Sequence, residues 1–70
     1  MLRRGDRGPA VSELQYRLRK VNLYPADPDG SFDGRTEFAV RTYQMARGVQ
    51  EDAPGMYGPA TRRLLEAETR

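Results

Sequence analysis

Gly30-Ser31-Phe32-Asp33-Gly34-Arg35-Thr36 returns 25 positions later as Gly55-Met56-Tyr57-Gly58-Pro59-Ala60-Thr61, and each copy runs on into an apolar pair, Ala39-Val40 or Leu64-Leu65. A weaker third copy opens the chain, where Gly8-Pro9-Ala10-Val11 parallels Gly58-Pro59-Ala60-Thr61 and leads to Leu14 and Leu18. Proline suits the first turn of a helix, because the amide hydrogen it lacks would have no intrahelical acceptor there and its ring pre-sets φ. Pro9 and Pro59 therefore mark two helix entries. Asp33 marks a third: its carboxylate can accept from the orphan amides of the following turn, which lets Gly34 stand where the other copies carry proline. Gly30 and Gly55 precede an aromatic residue in both copies and read as left-handed turns that point Phe32 and Tyr57 inward.

Hydrophobic spacing extends these entries into three helices. From Pro9 to Val21 the residues Val11, Leu14, Leu18 and Val21 form an amphipathic stripe. Asn22 should end this helix in a left-handed cap, with Leu23 folding back on the last turn. The second helix, Gly34 to Arg47, should turn Ala39, Val40, Tyr43 and Ala46 inward, and Gly48-Val49 repeats the stop signal. The third, Pro59 to about Glu68, offers Leu64, Leu65 and Ala60. Between the helices lie Leu23 to Asp33 and Val49 to Gly58, segments long enough to be working surfaces or packed Ω-like loops. The expected fold is all-α: a compact three-helix domain with two long ordered loops and no strand beyond a stray bridge.

Composition narrows the function. Seventy residues make one small domain whose core only modestly outweighs the entropy of ordering the chain. Cysteine is absent, so no disulfide or thiolate metal site braces the fold, and histidine is absent too, which removes the commonest metal ligand and general base. The expectation is a chain that is not an enzyme and needs no cofactor or metal. No apolar stretch approaches the roughly 20 residues of a membrane span, and Met1-Leu2-Arg3-Arg4 lacks the apolar run of a signal peptide. Eleven arginines and one lysine face ten acids, for a net charge of +2. That mixture favours a solvated surface over a nucleic-acid stripe.

Two local motifs have simpler readings. Arg4-Gly5-Asp6 matches a tripeptide that adhesion receptors recognise, yet it also fits a glycine-bounded entry to the first helix. Asp27, Asp29 and Asp33 with Glu37 have the look of a calcium loop, but an EF-hand needs glycine at its sixth position, where Phe32 stands, and glutamate at its twelfth, where Phe38 stands. Turn and capping roles suffice for Asp29 and Asp33.

Taken in order, Gly5-Asp6-Arg7-Gly8-Pro9-Ala10-Val11, Leu14-Gln15, Leu18, Asp29 to Thr36, Ala39-Val40, Tyr43-Gln44, Gly48-Val49 and Gly58-Pro59-Ala60-Thr61 resemble the peptidoglycan-binding domain family. This is the three-helix module appended to bacterial cell-wall hydrolases and found in the propeptides of matrix metalloproteinases. The resemblance covers about Leu2 to Leu65. The chain departs from the family pattern at Asn22, usually glycine, at Asp33-Gly34, usually Gly-Pro, and at Pro54, usually aspartate, with a slightly longer Gln50 to Pro54 segment. The resemblance implies a single domain over residues 1–70, with its core at about 2–66, taken from a longer secreted protein. It implies a non-catalytic, monomeric anchor for an attached wall-active enzyme, with peptidoglycan as partner, no nucleic acid and no membrane insertion. The site of action would be extracellular or in the cell envelope, reached through a signal in the full-length parent.

Wall polymer presents sugar faces, amides and free carboxylates, which aromatics, amide side chains and bidentate arginines would recognise. Tyr24, Arg35, Arg41, Tyr57 and Arg62 supply the aromatics and arginines, and Gln15 and Gln44 the amides. Of these, Tyr24, Arg35, Gln44, Tyr57 and Arg62 are the candidate ligand contacts that would border one shallow groove if the two loops and the helix starts after them come together. Each has a structural alternative. Gln15 and Gln44 flank apolar stripes and can instead bond loop backbone at the core edge; Phe32 belongs in the core; Tyr57 fits either a core or a wet edge. Phe38 and Met45 point away from the Ala39/Tyr43 stripe, so the second helix carries an outer apolar ridge. Either Leu2 or Tyr16 covers it, or it meets the catalytic domain of a parent enzyme. A propeptide-like domain packing on its own enzyme and a small helical DNA-binding domain are the competing functions; the spread of arginines over all helices, with Arg62-Arg63 beside Glu66 and Glu68, weighs against the second.

Overall fold

A computed structural model of the chain describes every residue from Met1 to Arg70. Three helices form, α1 (Pro9–Lys20), α2 (Gly34–Arg47) and α3 (Pro59–Glu68), with two isolated antiparallel bridges and no strand. Each helix begins where proline or aspartate announces it. Asp33 accepts from the amides of Arg35 and Thr36, both at 3.1 Å, satisfying two of the donors that a helix start leaves orphaned. The stops behave likewise: Asn22 takes φ 64° and Gly48 φ 69°, and Leu23 and Val49 donate back to the carbonyls of Leu18 and Gln44 at 2.9 Å. Val21, expected as the last helical residue of α1, is instead its C-cap, and packs on the core from outside the helix.

α1 packs against both other helices. The core comprises Val11, Leu14, Leu18, Tyr24, Phe32, Ala39, Val40, Tyr43, Tyr57 and Leu65. Two inward assignments fail. Leu64 is 40% exposed, because Thr61 and Leu65, four residues apart, define the buried face of α3 and a neighbour lies about 100° round the helix. Ala46 faces solvent as well. Gln44, not Ala46, completes the buried side of α2, and two positions further on points to the opposite side of the helix.

Residues 2–8 do more than lead into α1. Leu2 and Tyr57 exchange both backbone hydrogen bonds (3.1 and 2.8 Å), Gly5 donates to Phe32 and Phe32 to Asp6 (both 2.9 Å), and Gly8 donates to Gly30 at 2.9 Å. The segment thus lies across the ends of both long loops. Arg4-Gly5-Asp6 is the bend between these contacts, closed by Asp6 N–H to the Arg3 carbonyl (3.0 Å) and Arg3 N–H to the Asp6 carboxylate (2.9 Å).

The far ends of the helices are tied by charge. Thr69, at the end of α3, receives Arg17 on its hydroxyl at 2.8 Å and Lys20 on its carbonyl at 3.3 Å, placing two α1 cations where a helix dipole is negative. Glu68 accepts the Tyr43 hydroxyl at 2.8 Å and pairs with Arg47, whose guanidinium lies 4.8 Å from the Tyr43 ring centroid.

Candidate functional site

The two loops are built by two glutamines. Gln15, buried on α1, accepts the amides of Asp29 and Gly30 on its Oε1, both at 2.9 Å. Its Nε2 lies 2.9 Å from the Ser31 carbonyl, 2.9 Å from the Thr36 hydroxyl and 3.0 Å from the Asp29 carboxylate. Gln44, buried on α2, repeats the arrangement one unit later: its Oε1 accepts the Gly55 amide at 2.9 Å, and its Nε2 reaches the Met56 carbonyl at 2.9 Å, the Thr61 hydroxyl at 3.1 Å and the Ala53 carbonyl at 3.2 Å. A carboxamide is suited to this task because it offers acceptor and donor side by side to a turn that needs both. Gly30 and Gly55 sit at φ 76° and 83°, and a Cβ there would come within 2.9 Å of the Ser12 hydroxyl or 3.0 Å of the Glu37 side chain. The glutamines therefore take the loop-bonding role, and Gln44 has no free amide with which to meet a ligand.

The entry to α3 holds a contact that the sequence did not announce. Gly58 has no capping side chain, and Asp52, from the second loop, supplies one by accepting the Thr61 amide at 2.6 Å. Burial opposes ionisation of this carboxylate, yet bonds from the Thr61 hydroxyl and amide and from the Ala60 and Gly58 amides outweigh it and hold the carboxyl below its ordinary range. A Cβ on residue 58 would collide with the Asp52 carboxylate, so glycine here makes room for the cap. The aspartate six positions ahead of Gly58 was the only sequence signal, and it looked like an ordinary loop acid.

The acids grouped as a calcium loop are occupied separately: Asp29 with Gln15 and the Ser31 amide, Asp33 at the start of α2, Asp27 with Arg19 at 2.7 Å, and Glu37 with Arg4 at 3.4 Å.

No single groove gathers the five candidate contacts. Tyr24 is 2% exposed and belongs to the core, so its ring offers no face for stacking. Tyr57 and Arg62 do meet, in a cleft of about 140 Å³ between α1 and α3 floored by Leu2 and Leu14. Tyr57 is mostly enclosed, and burial, with Glu66 nearby, pushes its hydroxyl up to about 12. Arg62 is already paired with Glu66 at 2.9 Å. Gln44 underlies a different, open cleft of about 560 Å³, rimmed by Arg41, Met45, Gln50 and Pro54. Arg35 is exposed at the start of α2 and lines neither. The loops diverge because each is fastened to its own preceding helix, not to the other loop.

The outer ridge of α2 is uncovered. Phe38 is 69% and Met45 77% exposed, while Leu2 is engaged with Tyr57 and Tyr16 stands under Lys20 at 5.2 Å.

The sequence profile of the family described as "Putative peptidoglycan binding domain" matches residues 7–65. The chain belongs to the peptidoglycan-binding domain family. A spore cortex-lytic enzyme of Halalkalibacterium halodurans is 38% identical over 69 residues, covering 99% of this chain and 20% of the relative. The N-acetylmuramoyl-L-alanine amidase CwlL of Bacillus licheniformis is 38% identical over 69 residues, covering 96% and 19%, and a spore cortex-lytic enzyme of Bacillus cereus is 34% identical over 70 residues, covering 100% and 26%. The chain thus spans about a fifth to a quarter of the length of the curated relatives it matches. Among solved structures, the SleB N-terminal domain superposes with a TM-score of 0.90 at 35% identity, covering 99% of this chain and 92% of that one. The three-helix fold and the family expected from the sequence are both borne out. Domains of this family occur in wall-lytic enzymes, as the relatives' names state.

Proposed function

We propose that this domain binds peptidoglycan without cleaving it and holds an attached wall-lytic enzyme against its substrate. The observation that carries the reading is the family match across residues 7–65, joined to a structure in which the buried polar machinery is spent on the domain itself. Both glutamines and the Asp29, Asp33 and Asp52 carboxylates serve loops and helix starts. Rigid loops and exposed arginines suit a binding surface that is fixed before the ligand arrives. Tyr24 and Gln44 contribute by holding that surface in shape. The relatives' names place their action on the spore cortex or on N-acetylmuramoyl-L-alanine, and the proposed place of action of this domain is outside the cell membrane; no helix is long and apolar enough to cross one.

Co-sedimentation with purified insoluble peptidoglycan, before and after removal of teichoic acid and beside a DNA control, tests the reading. The domain should pellet with the stripped wall and release neither reducing ends nor free amines above a heat-inactivated control. Retention on DNA alone would replace the wall reading with the helical DNA-binding one.

A further inference from the structure

Phe38, Arg41, Thr42 and Met45 share one face of α2 by helical spacing. This face is continuous with the open cleft of about 560 Å³, since Arg41 and Met45 belong to both and Gln50 and Pro54 form the opposite rim. Phe38 and Met45 are largely exposed and nothing in the chain packs over them. Arg41 is the notable member. Five of the domain's cations have carboxylate partners, and Arg41 is not among them. The acids placed beside it bond elsewhere: Glu37 pairs with Arg4, and Asp52 accepts the Thr61 amide at the start of α3. The Arg41 stem passes the Pro54-Gly55 turn, where a Cβ on Gly55 would lie 3.4 Å from its Cγ, so the guanidinium rises from a stem that runs beside a fixed loop.

An unpaired guanidinium between an exposed aromatic and an exposed thioether is complementary to a ligand that carries a carboxylate next to an apolar face. Arginine's planar fork recognises a carboxylate bidentately, and an aromatic ring offers a surface for the apolar face of a sugar or an aliphatic peptide stem. Building on the wall-binding reading, we infer that the Phe38–Arg41–Met45 face and the adjoining cleft are the ligand-contacting surface, with Arg41 pairing a free carboxylate of the peptide stem, Phe38 packing on the polymer beside it, and the Gln50 side chain bonding stem amides. The reader of the wall is then α2 and the second loop. The small cleft at Tyr57 is left out, since Arg62 and Arg17 there already face Glu66 and Glu13.

Two soluble probes separate the charge from the rest: a disaccharide–peptide fragment of the wall with its stem carboxylates free, and the same fragment with those carboxylates amidated. Titration of the ¹⁵N-labelled 70-residue domain should shift resonances of α2 and of residues 48–54, and the amidated fragment should bind about tenfold more weakly or worse. Arg41→Gln should erase the difference between the two fragments. Phe38→Ala should weaken both alike, and Arg19→Gln, on the α1 surface, should change neither. All three positions are exposed, and circular dichroism of each variant checks that the fold is kept. If the wild-type domain binds whole wall but Arg41→Gln still discriminates between the fragments, or if the shifts fall at Arg35 or around Tyr57 and Arg62, this surface is wrong while the wall-binding reading stands. If the wild-type domain binds neither wall nor fragment, both are overturned.

Discussion

The Gln44 carboxamide is surrounded by the Gly55 amide, the Met56 and Ala53 carbonyls and the Thr61 hydroxyl, so replacing it removes several partners at once. Gln44→Leu keeps the bulk but strands buried backbone groups, each costing about 1–3 kcal/mol when left unpaired. Urea denaturation of this variant, and of Gln15→Leu, should show a loss of at least about 2 kcal/mol, a large share of the roughly 4–10 kcal/mol that a domain of this size possesses. A loss under half a kilocalorie would mean that water replaces the clasp. Asp52 and Gly58 form a second test. Gly58→Ala should destabilise the wild type because the new methyl meets the Asp52 carboxylate, and should cost clearly less in an Asp52→Ala background; equal costs in both backgrounds would remove the contact from the account. Neither partnership was fully legible beforehand. The flanking position of Gln15 and Gln44 beside their stripes announced the loop bonds, whereas Asp52 capping Thr61 is a nonlocal match between an unremarkable acid and a helix start.

Among the elements, α3 distinguishes what a repeat reveals from what it hides. Leu64-Leu65 looks like a buried pair, but consecutive residues on a helix diverge, and only Leu65 is enclosed. Leu65→Ala should cost about 2–5 kcal/mol, and Leu64→Ala under about 1 kcal/mol, a contrast that thermal melting reads directly. Bonded carboxyls at the loops and along α3 also set the response to pH. Four carboxyls sit below their ordinary values: Asp29 through the Ser31 amide and Gln15, Asp52 through the net of its bonds over burial, Glu66 through Arg62, and Glu68 through Arg47 and Tyr43. Their contribution is complete above the unfolded carboxylate range of about 4 and is lost as pH falls through the lower folded values. The melting temperature should therefore hold level near neutrality and drop in acid, and Asp52→Asn should flatten part of that drop. Tyr57 works in the opposite direction. Its folded value is raised to about 12, so its contribution is complete below the free tyrosine value of about 10 and disappears as pH climbs through the folded value. A second decline at alkaline pH, reduced in Tyr57→Phe, is the expected signature.

At the scale of the whole molecule, the sequence revealed helices and hid arrangement. Pro9, Asp33, Pro59, Asn22 and Gly48 act within a turn of themselves; all three helices begin where Pro9, Asp33 and Pro59 put them, and α2 ends at Gly48. The pairing of Leu2 with Tyr57 and of Gly8 with Gly30 joins residues far apart in the chain through backbone atoms, which carry no side-chain signature. For the same reason Tyr24 and Tyr57 could not be ranked: both are aromatic residues in or beside loops, and only the packing shows that the first is wholly enclosed. The glutamine clasps have one more consequence, for motion. Asp29, Gly30 and Gly55 lie outside the helices, where backbone amides ordinarily trade their protons with solvent quickly. Here each amide hydrogen is held by the carboxamide of a glutamine buried in the domain. In heavy water these three loop amides should exchange as slowly as the slowest amides of α1 and α2, limited by global unfolding, while Gln50 and Glu51, outside the clasp, should exchange quickly.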